Sequence, residues 1–483
     1  MMSGMFGVVS EENCLESLFY GVDYHSHLGS SYGGIAVLGN TFERRIHDLS
    51  QSQFKSKFSE DMYNLKGNMS IGVISDKDEQ PIYIHSKHGS FCLVTDGRIE
   101  NVDVLAGKLL KKGISFSESR HDMTNMTELV GKLIIQGNNI TDGIEKMFAS
   151  IEGSCSLLLI CSEGIYAARD RYGYTPLIVG QLNHNYAVTK ETSAFSNTGF
   201  QIIKYLEPGE IILITPNGIV QKRQGRKNKC ICAFLWIYSG FPASTYDGIN
   251  TETVRERCGR CLAKYDKEIE IDFVAGIPDS GMGYAIGYAM ESGKPLRRPL
   301  VKYSPGYGRS YLPPKQATRD LIARMKLIPI REIIENQRIA ICEDSIVRGT
   351  QLKNYTIQKL WDASVREIHV RVACPPLMFP CKFAFSTRNI KELAARRAIQ
   401  SMEGSNIEHV DEYLDPLSKK YDLMIDWIAQ ELNVTTLRYL ILDDMVSAIG
   451  MPKDQLCLYC WNGKYPYNSF SENEHQQIRL NLE

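Results

Sequence analysis

The sequence predicts two layered domains in series: an α+β domain of stacked antiparallel sheets to about residue 222, then an α/β domain with a parallel sheet and a helical C-terminal region. Three observations predict it. At 483 residues the chain is long for one hydrophobic core, so two domains of roughly 200 residues each plus a tail are the default. The first part carries short β-rich runs separated by turn signals. The second alternates strand and helix patterns, as a doubly wound sheet requires.

In chain order, runs at 82–84, 156–160 and 211–214 read as strands, with Pro208-Gly209 and Pro216-Asn217-Gly218 as turns. Helical patterns near 97–112 and 124–136 interrupt them, and the basic, weakly apolar stretch 221–229 reads as a linker. Beyond it come a strand at 273–276, a helix at 281–292, a strand at 338–342, a helix at 350–362 and a strand at 367–373. Residues 389–450 read as mostly helical and the end of the chain as polar.

A net charge of -1 gives no field to steer the molecule onto nucleic acid or acidic membranes. No apolar run approaches the roughly 20 residues of a membrane span, and the start has no secretory pattern. A cytoplasmic protein is expected. Thirteen cysteines then do not read as a disulfide framework, because a reducing compartment keeps thiols free.

The most informative segment is 338–351. Ile339 to Cys342 are apolar without alternation, as in a parallel strand covered on both faces, and ligands of open α/β sheets gather at the carboxyl ends of such strands. Glu343 and Asp344 therefore stand where a ligand would sit. Ser345, Arg348, Gly349 and Thr350 can surround a phosphate with hydroxyls, a cation and backbone N–H groups.

This segment resembles the phosphoribosyl-diphosphate (PRPP) motif of type I phosphoribosyltransferases. With Gly-Ile-Pro-Asp-Ser-Gly at 276–281, Gly-Arg-Ser-Tyr-Leu-Pro-Pro at 308–314, Gln316, Arg319 and Arg-Met-Lys-Leu at 324–327, the order and spacing resemble the amidophosphoribosyltransferase family along nearly the whole chain. The resemblance implies an N-terminal-nucleophile hydrolase-like domain at 3–222, a phosphoribosyltransferase domain at 223–388 and a helical region at 389–483 packed on it. It implies that Asp279, Ser280 and Gly281 take the pyrophosphate, and that Arg309 and Lys326 serve the lid and the phosphate charge. Glu343 and Asp344 would bind the ribose hydroxyls with Mg2+, and Ser345, Arg348, Gly349 and Thr350 the 5-phosphate. Tyr303-Ser304-Pro305-Gly306 departs from the family's lid sequence, which puts lid closure in question.

Cys457-Leu-Tyr-Cys460 alone fits zinc, redox and iron–sulfur sites alike. The resemblance implies that Cys232, Cys381, Cys457 and Cys460 hold a structural [4Fe-4S] cluster; zinc on the same thiolates is the competing reading. Cys258 and Cys261, a second C-x-x-C, read as packing residues.

The family's first domain uses an N-terminal cysteine to attack glutamine. Here Ser3 stands at that place, behind two methionines. Leu28 and Ser30 replace an arginine and a glutamine, Ser75 the substrate-clamping arginine, Asp96-Gly97 the oxyanion Asn-Gly pair, and Met126 the aspartate for the glutamine amino group. An ionised Asp accepts hydrogen bonds only, so it repels an oxyanion. The expectation is an enzyme of purine biosynthesis that passes ammonia or another amine to C1 of PRPP without hydrolysing glutamine. The alternative is a silent regulatory subunit of a genuine amidophosphoribosyltransferase. A dimer or tetramer, with purine nucleotides as inhibitors and no nucleic-acid or membrane partner, completes the expectation.

Overall fold

In the computed structural model, the described residues are 3–28, 31–118, 123–303, 325–383, 389–405 and 409–464. The first domain is built on two stacked antiparallel sheets. One has seven strands, in the order Gln201–Tyr205, Ile178–Leu182, Asn185–Thr189, Gly4–Val9, Met69–Ser75, Tyr32–Leu38, Phe42–Asp48. The other has six, in the order Gly218–Arg223, Ile211–Thr215, Gly164–Ala168, Gly153–Cys161, Gly89–Ile99, Ile82–Ser86. Apolar residues of both inner faces, among them Met5, Ile71, Val94, Leu158 and Val188, fill the space between the sheets. Helices cover the outer faces: Leu15–Asp23 and Phe54–Asn64 on the first, Met126–Ile134 and Ile140–Ser150 on the second. Strands buried on both faces read as continuous apolar runs, which is why Leu157 to Ile160 are legible in the sequence.

Three details differ from the sequence expectations. The helix expected over 97–112 spans only Val102–Lys111, because Gly97, Arg98 and Ile99 still pair with Cys155, Ser154 and Gly153. The basic stretch expected as a linker begins inside a strand: Gln221 pairs with Ile212 and Arg223 with Ile211. The helical reading of 389–450 leaves out the strand Thr436–Tyr439.

That strand completes the sheet of the second domain, which is parallel and ordered Phe273–Gly276, Arg338–Glu343, Glu367–Val372, Thr436–Tyr439. One core runs from Ile231 to Trp461, so the C-terminal helices Ala394–Glu403, Lys419–Leu432 and Leu442–Ile449 share it with the helices Thr251–Lys264 and Met282–Ser292. Asp266, buried below the sheet, binds Arg371, Arg438 and the Tyr288 hydroxyl together, so its charge is fully met.

A short hairpin joins the domains. Strands Thr245–Tyr246 and Ile249–Asn250 carry Tyr246, fully buried, into the first domain, where its hydroxyl donates to Glu191. Beside it Thr245 N–H donates to the Thr192 hydroxyl at 2.7 Å, and Asp247 pairs with buried Arg169 at 3.4 Å.

Candidate functional site

The two inner strands of the parallel sheet deliver the acids. Phe273–Gly276 and Arg338–Glu343 pair in register, Gly276 opposite Cys342, so the loop at 277–281 and the acids at 343–344 leave the sheet side by side. Ser280 Oγ donates to Glu343 Oε1 at 2.8 Å, the Asp344 N–H donates to the same oxygen at 3.1 Å, and Ser345 Oγ donates to Asp344. A Cβ on Gly281 would lie 2.0 Å from the Cys342 carbonyl oxygen, so only glycine lets the two loops approach this closely. Burial, then the neighbouring Asp344 charge, pushes Glu343 well above the usual carboxylate range; burial raises Asp344 as well. Two like charges held together out of water favour a ligand that brings cations or hydroxyl donors.

Gly349 sits in the left-handed region, with φ of 76°, and opens the helix that starts at Thr350. The Arg348 side chain turns to Glu392 at 2.5 Å, and Asp279 is bound by Lys302 at 2.6 Å. Lys302 was not among the sequence candidates; a cation directly before the lid sequence is its only sequence signal. Lys326 lies just after that segment, where its carbonyl accepts from the Tyr303 N–H. Arg309 and Ser30 lie outside the described residues.

The four cysteines converge. The two-residue strands Ile231–Cys232 and Leu456–Cys457 pair in parallel with Cys232 opposite Cys457. The Cys460 carbonyl accepts from the Met378 and Phe379 N–H groups, which brings in Cys381. Cys232, Cys381, Cys457 and Cys460 line one small cavity walled by Tyr174, Phe234, Phe383 and Trp461. Phe234 stacks on Trp461 and Tyr174 on Phe383. The first domain contributes Arg98, which donates to the Cys381 carbonyl at 2.9 Å. Cys230, not singled out in the sequence, is hydrogen-bonded to Cys457, and that bond together with burial raises the Cys457 thiol. Among the described residues, no three His, Cys, Asp or Glu side chains are arranged to hold a single metal ion.

Around Ser3 the polar groups pair with one another. The Ser3 N–H donates to Asp96 Oδ1 at 2.7 Å, while Lys190 Nζ donates to Asp96 Oδ2 at 2.6 Å and to the Ser3 carbonyl at 3.0 Å. Asp96 and Lys190 are 1% and 0% exposed, a closed ion pair where an anion would have to form. Gln80, fully enclosed, accepts from Thr95 N–H at 2.8 Å and donates to the Thr95 carbonyl and Ser75 hydroxyl. Thr95 also bonds Thr127 at 2.7 Å, and Met126 N–H donates to Asp78. Ser75, which also accepts from Asp78 N–H, and Met126 thus belong to one hydrogen-bonded network, while Asp96 is held separately by Ser3 and Lys190. Leu28 is buried. Behind Lys190, Glu191 meets His27 at 2.9 Å; burial works against its ionisation, but the imidazoles and the Tyr246 hydroxyl outweigh it and hold Glu191 down to about 2.

A glutamine amidotransferase domain model matches residues 67–197. The amidophosphoribosyltransferases of Methanocaldococcus jannaschii and Bacillus subtilis are each 29% identical to the chain, over 96% and 97% of it and 98% and 95% of their own lengths. Among solved structures, the glutamine PRPP amidotransferase of B. subtilis complexed with ADP and GMP matches with a TM-score of 0.81 at 28% identity, covering 96% of this chain and 97% of that one. A second, described as the allosteric regulatory enzyme of purine biosynthesis, matches at 0.80 and 28%. Along nearly its whole length the chain is similar in sequence and fold to the amidophosphoribosyltransferases.

Proposed function

We propose that this protein transfers ammonia, or another amine, to C1 of PRPP, releasing pyrophosphate and giving 5-phosphoribosylamine for purine biosynthesis, and that it does not hydrolyse glutamine. The observation that carries the reading is the contrast between the like-charged pair Glu343–Asp344, left to be neutralised by a ligand, and the closed Asp96–Lys190 pair at Ser3.

In the transferase site the two acids accept from the ribose hydroxyls, while the loop at 345–350 holds the 5-phosphate with backbone N–H groups. Asp279, Ser280 and Gly281 receive the pyrophosphate, with Lys302 and Lys326 near to share its charge. The reaction breaks the C1–O bond to pyrophosphate and forms C1–N; the amine loses one proton. Little covalent work falls to the protein, so positioning and exclusion of water carry the rate. Mg2+ fits a site with only two acids, because it keeps waters and substrate oxygens as ligands and needs no protein cage; when bound it disperses the charge of the leaving pyrophosphate.

Four thiols from three segments, Cys381 and Cys457 buried and Cys232 and Cys460 half-buried, line one aromatic-walled cavity and fit a structural [4Fe-4S] cluster, with zinc on the same thiolates as the competing reading. The cluster would tie the last described turn to the sheet and to Arg98 of the first domain. The expected partners are PRPP, an amine and further copies of the chain.

Pyrophosphate release from PRPP and Mg2+ with ammonium tests the transferase. It should be present in the native chain and absent in Asp344→Ala. Its absence from both would replace this reading with the silent subunit.

A further inference from the structure

Tyr246 is fully buried and reaches from the second domain into the first. Its ring packs edge-on to Trp236 at 5.9 Å and lies so near the chain at Gly240 that a Cβ there would come within 2.7 Å of it. Its hydroxyl donates to Glu191, which also meets His27 at 2.9 Å and the Ser244 hydroxyl at 3.4 Å. Glu191 is itself fully buried, so a bond to its carboxylate is of the stronger, charge-assisted kind.

The anchored hairpin runs straight into the scaffold of the transferase site. Asn250, its last residue, caps the helix Thr251–Lys264 by accepting from the Thr253 N–H at 3.0 Å, while its amide donates to the Ser244 carbonyl at 3.2 Å. That helix lies against Met282–Ser292 at backbone contact: a Cβ on Gly259 would stand 2.0 Å from the Tyr284 carbonyl oxygen, and one on Gly287 1.9 Å from that of Glu256. Elements packed this closely transmit a displacement instead of absorbing it. The second helix opens at Gly281, whose N–H donates to the Ile277 carbonyl at 2.7 Å and closes the loop at 277–281.

We propose that Tyr246 is a positioning residue of the transferase: held on Glu191, it fixes the hairpin and, through the two packed helices, the loop at 277–281, so that the first domain serves as a rigid support for PRPP binding. The consequence for PRPP rests on the transferase reading; the hold on the loop does not.

Hydrogen–deuterium exchange on the full chain without ligand, native against Tyr246→Phe, tests this. Amides of 277–292 should exchange about threefold faster or more, while the strand Glu367–Val372 keeps its protection. A merely local role would move only 191–192 and 241–250. With PRPP, Mg2+ and ammonium, the variant's KM for PRPP should rise about threefold or more with kcat nearly unchanged, as for lost ground-state binding. Glu191→Gln should act alike, and the two together no more strongly than the stronger alone; it carries the test if Tyr246→Phe does not fold. Unchanged exchange at 277–292 in a folded variant, an unchanged KM in an active one, or effects of the two substitutions that add would overturn the proposal. If the native chain releases no pyrophosphate, the transferase reading fails and the exchange comparison still decides whether Tyr246 holds the loop.

Discussion

The chain holds two buried charged sites of opposite construction. At the N-terminal site Asp96 and Lys190 are enclosed together and hold Ser3 between them, so every charge has its partner within the fold. At the end of the parallel sheet Asp344 is buried with Glu343 half-buried beside it, and no cation pairs with either in the described residues. A buried pair of opposite sign is a finished structure, whereas a buried pair of like sign lowers the stability of the empty protein and is tolerated where a ligand supplies the missing charge. One fold therefore carries one charged pair that closes on itself and another that a ligand would complete.

The comparison breaks most readily by mutating one acid in each place. Asp344→Ala should reduce ammonium-supported pyrophosphate release by about a hundredfold or more. It should leave stability unchanged or higher, since a carboxyl raised in the folded state counts against folding once the pH passes its unfolded value. Asp96→Ala should do the reverse: it strands Lys190 in the interior at about 3–5 kcal/mol of stability and leaves turnover of the folded fraction unchanged. Denaturant midpoints and steady-state rates on both variants read the outcome. Activity loss in both, or stability loss in both, would erase the distinction.

Acid should sharpen it next. Burial lowers His25 to about 4, so below its ordinary value of 6.5 the unfolded chain takes up a proton that the folded chain refuses. Stability is then fully present above that pH and is lost as the pH falls toward 4, by about 3 kcal/mol at 1.36 kcal/mol per unit. Glu191, held down to about 2, adds a further loss from 4.5 downward. Thermal melts between pH 7 and 4 should show the fall, and His25→Asn should flatten it.

The transferase acids are shifted in the opposite direction to Glu191. Because Glu343 and Asp344 are raised, binding Mg2+ and PRPP should release protons and weaken as the pH is lowered. Calorimetry in buffers of differing ionisation enthalpy measures this directly, and no buffer dependence would contradict it. The smallest effect concerns the thiols: anaerobically purified protein should be brown, and Cys457→Ser colourless with unaltered transferase chemistry. A colourless native protein containing zinc would sink the cluster.

Much of this was legible in the sequence because it rests on local rules. The unbroken apolar run before Glu343 marks a doubly covered strand, and the acids, hydroxyls and Gly349 follow it within eight residues. The cysteine set was legible through resemblance, since no spacing rule links Cys232 to Cys457; their register across two short strands is a tertiary fact. Less accessible was the strand Thr436–Tyr439, whose signal is local but weak: Asn433, with φ of 58°, ends the preceding helix, and three β-branched residues follow it. Nor could the partner of Asp96 be read, because Lys190 lies 94 residues away on the strand ladder's far end. The sequence shows an asparagine replaced by an acid; only the fold shows a lysine enclosed against it. The same holds for Gln80, whose side chain closes onto Thr95 across the neighbouring strand.

The central claim is that amine transfer survives here without glutamine hydrolysis. Its most direct test is pyrophosphate release from PRPP and Mg2+ with ammonium and with glutamine in parallel, on one preparation whose intact mass is known. Turnover with ammonium and none with glutamine is the predicted result; glutamine-supported turnover with matching glutamate formation would contradict it.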